Sequence, residues 1–267
     1  MRAALIALLL LAPSAARAAQ ALVVLSEPLS SSYREALEGL RAEWTGTIET
    51  ARADRPLPPG PPGVIIAFGG RAATRARQAG APMVVALAPA YRAPNPPTTV
   101  HVAMTPSPER FVNFLSAAGV RRLLAERAAP AEPEFSRLTA EAGKRAGVVI
   151  EDEILPSPDG LPRLLRAAGS RADAIWRAPD PGVVTPETFG VVSEFARARG
   201  IPFFAPAAGL VSNEIRGELT VSFRDCGREA ARAARDLLAG RPVAGVVYPG
   251  PSFKGQVVLS TVPAANP

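Results

Sequence analysis

The chain is predicted to be an α/β protein of two lobes with parallel sheets, and three observations predict it. Apolar runs alternate with amphipathic stretches along almost the whole length, the pattern of parallel strands joined by helical crossovers. One strand–helix–strand unit occurs twice. The 267 residues, less a short leader, also approach the size at which one core stops growing and a chain divides.

The elements follow in order. "ALVVLS", 21–26, is an unbroken apolar run, as a strand covered on both faces requires. Ser31 or Ser32 is placed to cap the helix "SYREALEGLRAEW", in which Tyr33, Leu37 and Leu40 recur at helical spacing. "TGTIET" reads as a weak strand. "RPLPPGPPG" reads as a stiff connector, because proline lacks a backbone donor and fixes its own φ.

The repeated unit then begins. "VIIAFGG", a helix "RAATRARQAG" and "APMVVALAPA" parallel "ADAIWRAPDP", the helix ending "EFARARG" and "IPFFAPAAG". Gly80 and Gly200 suit the position just past a helix end, and Pro82 and Pro202 open the next strand. Between the copies lie a strand "TTVHVAM", a helix with Pro108 near its start and a strand "VRRLLAE". Helix "EPEFSRLTAEAGKRAG", strand "VVIEDEIL" and helix "PDGLPRLLRAAGSR" follow. Strand "GELTVSF", helix "DCGREAARAARDLLAG" and a tail with "AGVVYPG" and "GQVVLSTV" come after the second copy.

The first residues predict the compartment. "MRAALIALLLLAPSAARAAQ" has a basic start at Arg2, a short apolar run and the small-residue pattern Ala16-Arg17-Ala18. That is the form of a secretory signal peptide, too short to span a bilayer and expected to be cleaved near Ala18. A periplasmic protein, expected to be monomeric, is the consequence. Cys226 is the lone cysteine, so no internal disulfide supports the exported chain.

The formal charge of +6 is carried almost wholly by arginines scattered singly among acids, with no basic stripe. Nucleic acid is therefore excluded as a partner. His101 is the only histidine, which rules out multi-histidine metal sites, and its alternating strand gives it a structural place. With no Gly-x-Ser-x-Gly elbow either, the chain is read as non-catalytic, without metal or cofactor. Glu151, Asp152 and Glu153 read as a strand end with a solvated turn.

The order of "GVIIAFGGRAA", "ADAIWRAPDP", "GIPFFAPAAG" and "GELTVSFRDCGREAARAARDLLAGRPV" resembles the ABC-transporter substrate-binding proteins of the aromatic-amino-acid and related type. The resemblance covers most of the chain and is strongest from Asp173 to Pro242. It implies the type I periplasmic-binding fold: two Rossmann-like lobes that close on a small molecule and deliver it to a membrane transporter. A ligand-sensing protein of the same fold, serving a receptor or another system, is the alternative. The implied boundaries are 19–118 for the first lobe, completed by about 212–240, and 119–211 for the second, completed by about 241–267.

The sequence departs from that family in three places. "PLPPGPPG" replaces a helix, "PAAG" lacks an acidic residue expected after "IPFFA", and Ser222 aligns where the family often has aspartate. Fewer carboxylates favour an apolar, aromatic or acidic ligand over a zwitterion.

Candidate ligand residues sit at the carboxyl ends of the strands, where open α/β sheets bind ligands. Ser26, Glu27 and Ser31 border the first helix and either hold an acidic group or cap that helix. Phe68, Gly69 and Gly70 end the next strand, the glycines permitting either a close ligand approach or a tight corner. Pro89 and Tyr91 follow the third strand, Tyr91 as a stacking wall. Trp176 either stacks a flat ligand or is core. Arg177 and Asp180 either grip a polar ligand group or pair with each other. Ala207, Ser222 and Phe223 follow from the resemblance.

Overall fold

A computed structural model of the chain describes residues 20–28, 30–60, 62–89, 91, 98–127, 133–168, 171–180, 184–205 and 217–255. The expected leader, 1–18, and Ala207 lie outside the described residues. Two sheets form. The first is built on β1 (Gln20–Leu25), β2 (Thr47–Arg52), β3 (Val64–Phe68), β4 (Met83–Ala86) and β5 (Thr99–Val102). The second is built on β6 (Arg122–Arg127), β7 (Val149–Ile154), β8 (Ala174–Arg177), β9 (Phe203–Ala205) and β10 (Gly217–Val221). In space the first runs β2-β1-β3-β4-β5 and the second β7-β6-β8-β9-β10, the same order twice. Short strands β11 (Val246–Val247) and β12 (Pro251–Gly255) extend the two sheets beyond β5 and β10.

The apolar runs behave as strands covered on both faces. Every residue of β3 is buried, and its side chains alternate: Val64, Ile66 and Phe68 enter one core cluster, Ile65 and Ala67 another. The first face is covered by α1 (Ser31–Glu43) and α7 (Phe223–Leu238), the second by α2 (Gly70–Ala76). In the second lobe, α3 (Pro108–Ala117) and α4 (Pro133–Ala146) cover one face. There α5 (Leu161–Ala168) and α6 (Pro186–Arg199) cover the other.

The repeated unit holds in detail. Gly80 and Gly200 take φ of 66° and 65°, the left-handed turn that ends each helix. Pro82 and Pro202 each accept a 2.9 Å backbone hydrogen bond, from Ile65 and Ile175 of the neighbouring strand.

Three details differ from the sequence expectation. Strand β10 joins the second sheet and β11 the first, so the block 212–240 is split: its strand goes to one lobe and its helix, α7, to the other. Strand β12 pairs antiparallel to β10, because the chain doubles back after its last crossing. The cap of α1 is Ser30, one residue before the expected serines, and its side chain makes no capping bond.

The chain therefore passes between lobes three times: from β5 into α3, from β10 into α7, and from β11 into β12. The first and third passages lie side by side. Ala103 N–H donates to Val247 C=O at 2.9 Å, and Ser107 N–H to Pro249 C=O at 2.6 Å.

Candidate functional site

In a sheet of order 2-1-3-4-5 the crossovers leave in opposite directions from the first and third strands, opening a crevice at their carboxyl ends. In the second sheet those strands are β6 and β8. A narrow slot of about 40 Å³ lies there. Its walls include Phe111 of α3, Phe135 and Thr139 of α4, Ala125, Glu126 and Arg127 of β6, Asp152 of β7 and Trp176 of β8. Ala178, Pro179 and Asp180 close it from the corner after β8, while Met104 and Thr105 enter from the first crossover and Pro89 from the first lobe.

The sheet register sorts these side chains. Ala125, Trp176 and Asp152 are in-register neighbours and share the α3/α4 face. Trp176 is nearly buried, donates from Nε1 to Leu219 C=O at 3.0 Å, and packs 4.8 Å from Phe111 and 5.8 Å from Phe135 between ring centroids. It is both core and slot floor. Arg127 lies against Asp152 in a two-pronged pair, Nε to Oδ1 at 2.6 Å and Nη2 to Oδ2 at 2.8 Å. Its Nη1 is buried and has no hydrogen-bond partner among the described residues.

Glu126 and Arg177 are also in-register neighbours, on the opposite, α6 face. Both side chains are wholly buried. Arg177 donates to Glu126 Oε2 from Nη2 at 2.6 Å and Nε at 3.1 Å, and from Nη1 to Thr188 Oγ1 at 3.0 Å. Burial outweighs Arg177 and raises the Glu126 carboxyl above its ordinary value. Arg177 thus has Glu126, a residue of its own lobe, as a carboxylate partner.

The first lobe offers the matching crevice between β1 and β3. Ser26 Oγ accepts from the Ala72 N–H at 2.9 Å, holding the start of α2. Gly69 has φ 96°, and a Cβ there would meet the Tyr33 hydroxyl at 2.4 Å and Ser26 Oγ at 2.5 Å. Its glycine serves a tight corner. Phe68 is fully buried in the first core, and Gly70 opens α2. Ser26 and Glu27 border a wider polar groove of about 450 Å³ with Arg52, Asp54 and Arg71, and Glu27 pairs with Arg71 at 2.9 Å. Ser31 is the exposed first residue of α1.

Tyr91 stacks on His101 at 5.9 Å beside the slot, in a pocket that shares Pro89 and Met104 with it. Leu87, just before that corner, holds φ 54°, a conformation costing an L-residue roughly 1–2 kcal/mol. Ser222 caps α7, its Oγ accepting from the Asp225 N–H at 3.3 Å, and Phe223 packs on the first core. Burial pushes the Cys226 thiol up to about 12, which leaves it unreactive.

Of the predicted residues the slot gathers Pro89, Trp176 and Asp180. Phe111, Phe135, Glu126, Arg127 and Asp152 were missed in sequence. Asp152 carried a signal, a carboxylate inside a strand pattern, that only the position of Arg127 makes legible. Among the described residues no cluster of histidine, cysteine and acids is placed to hold a metal, and no helix is long and apolar enough to cross a membrane.

No family model matches the chain, and no curated protein does. Solved structures share its architecture. One is the ABC domain in complex with L-Trp from Streptococcus pneumonia, at 14% identity over 87% of this chain and 90% of that one, TM-score 0.54. Another is the ligand-free, open substrate-binding protein with adhesive properties from Clostridium difficile, at 13% identity over 88% and 90%, TM-score 0.53. The chain has the type I periplasmic-binding fold. The same fold carries a putative ribose operon repressor from Burkholderia thailandensis, at 15% identity over 90% of this chain and all of that one, TM-score 0.51. These neighbours are binding proteins and transcriptional regulators rather than enzymes.

Proposed function

We propose that the chain is an exported, periplasmic solute-binding protein that takes a small molecule between its lobes and delivers it to a membrane transporter. The observation that carries this reading is the position of the slot. It lies at the reversal point of the second sheet, walled by aromatic rings and an ion pair, with Pro89 of the first lobe and Met104 of a crossover at its edge. Three passages between the lobes, the first and third of them hydrogen-bonded side by side, suit a hinge about which the lobes close over a solute and present the closed form to a partner. The slot's few polar groups orient the solute, and apolar residues at its walls and mouth bury the rest.

A ligand-sensing role is the second reading, favoured by the repressor that shares this fold. The genes beside this one separate the two: a permease and ATPase mark transport, a receptor or regulator marks sensing.

Thermal unfolding of the chain from residue 19, against pooled amino acids, aromatic acids, nucleobases, sugars and lipids, tests the common claim. A solute at ~100 times its Kd adds about 2.7 kcal/mol, a rise in midpoint of roughly 5–10 °C for a chain this size. No rise with any pool would refute solute binding.

A further inference from the structure

We infer that the solute held in the slot is electrically neutral overall and presents a hydrogen-bond acceptor to Nη1 of Arg127. The inference deepens, and rests on, the solute-binding reading. It starts from one guanidinium. Asp152 occupies the edge of Arg127 formed by Nε and Nη2, with both of its oxygens. Nη1 keeps its N–H donors on the other side, buried and without a hydrogen-bond partner among the described residues.

Buried donors in folded proteins are almost always satisfied, and one left open costs about 1–3 kcal/mol or more when charged. Arg127 itself lines the slot, on the sheet face it shares with Trp176, which packs against Phe111. An acceptor supplied by a ligand recovers that cost only when the ligand is present, which makes the donor a recognition device.

Size fixes which part of the ligand enters. About 40 Å³ is room for a few waters at the roughly 10–15 Å³ each requires. It accommodates a carbonyl, amide or hydroxyl head group, not a ring. The body then lies at the mouth, against Met104 and Pro89.

Charge fixes the class. Arg127 and Asp152 already cancel, at 2.6 Å and with their side chains only 13% and 21% exposed, Glu126 is paired with Arg177, and Asp180 adds a further acidic residue at the corner. A lone carboxylate on Nη1 would put two anions on one cation in an apolar slot, and an uncompensated buried charge is costly. A neutral acceptor avoids this, as does a carboxylate balanced by a cation within the same molecule. An organic acid is therefore the wrong ligand, although the sequence alone favoured one among its options.

The test uses four probes with one aromatic body on the chain from residue 19: phenylacetamide, phenylalanine, phenylacetate and phenethylammonium. The expected result is a rise in unfolding midpoint with phenylacetamide or phenylalanine and none with the singly charged pair at equal concentration. Arg127→Lys keeps a cation beside Asp152 but removes Nη1. It is expected to lower the ligand-free midpoint, through the lost second bond to Asp152, while still folding, and to bind the active probe about 10- to 100-fold more weakly, the worth of one bond to a charged donor.

A rise with phenylacetate equal to or above that with phenylacetamide overturns the inference, and this comparison needs no variant. So does undiminished binding by Arg127→Lys. A wild-type chain that responds to a pool in the wider screen but to none of these probes also overturns it, while leaving solute binding intact. Silence in both experiments removes both.

Discussion

Glu126 and Arg177 show how a residue's role is decided by a partner far away in sequence. Arg177 stands out in "AIWRAPDP" as a charge at the end of an apolar run, and the nearest carboxylate in sequence is Asp180. Its carboxylate is Glu126, 51 residues earlier, because β6 and β8 are neighbours in register. Nothing local announces that neighbour. With the Glu126 carboxyl raised by burial, its stabilising contribution is present below the ordinary glutamate range and is lost as pH rises through the folded value. Glu126→Leu combined with Arg177→Met is predicted to remove that loss and to match or exceed wild type at neutral pH by about 1–4 kcal/mol. Glu126→Leu alone strands a buried cation and is predicted to cost about 3–5 kcal/mol. Urea midpoints at about pH 5 and about pH 8 decide it, and a double variant weaker than wild type at neutral pH contradicts it.

Helix α7 and its partner α1 show what an element needs beyond its own pattern. The sequence "DCGREAARAARDLLAG" reads as a helix, and so it is, burying a face of small residues that includes Gly227, Ala230 and Ala234. What the pattern does not say is how closely that face approaches its neighbour. A Cβ on Gly227 would fall 1.8 Å from the Ala36 carbonyl oxygen, and one on Gly39 would fall 1.9 Å from that of Arg224. Ion pairs at the rim, such as Arg232 with Glu43 at 2.9 Å, add little beside that contact. Gly227→Ala is predicted to lower stability by at least about 1–3 kcal/mol through overpacking. Gly190→Ala, in α6 with open space around it, is predicted to gain about 0.5–1 kcal/mol from helix propensity. Equal effects in chemical denaturation would contradict the close crossing. Fully apolar strands such as β3 were legible from composition alone. Strand β12 was not, because it begins at Pro251 and takes its place by antiparallel pairing with β10 rather than by periodicity.

At the scale of the whole molecule, the doubled helix–Gly–x–Pro–strand corner was legible in sequence, since it is a local pattern written twice, whereas the doubled strand order was not, since pairing between strands is no local pattern. The slot was legible only in part. Trp176, Pro89 and Asp180 come from the corners the sequence marked, whereas Phe111, Phe135 and the Arg127–Asp152 pair arrive by helix packing and register that no short stretch encodes. The chain has two tryptophans, and only Trp176 lines the slot while Trp44 sits in the first core. Its fluorescence therefore reports on that slot and little else once Trp44 is replaced by phenylalanine. The most direct measurement is the emission of Trp44→Phe protein titrated with the same solute pools. Capture between the lobes predicts a saturable change in Trp176 emission with every pool that raises the unfolding midpoint. A pool that stabilises the protein while Trp176 stays silent would place the solute elsewhere and contradict the assignment of this slot.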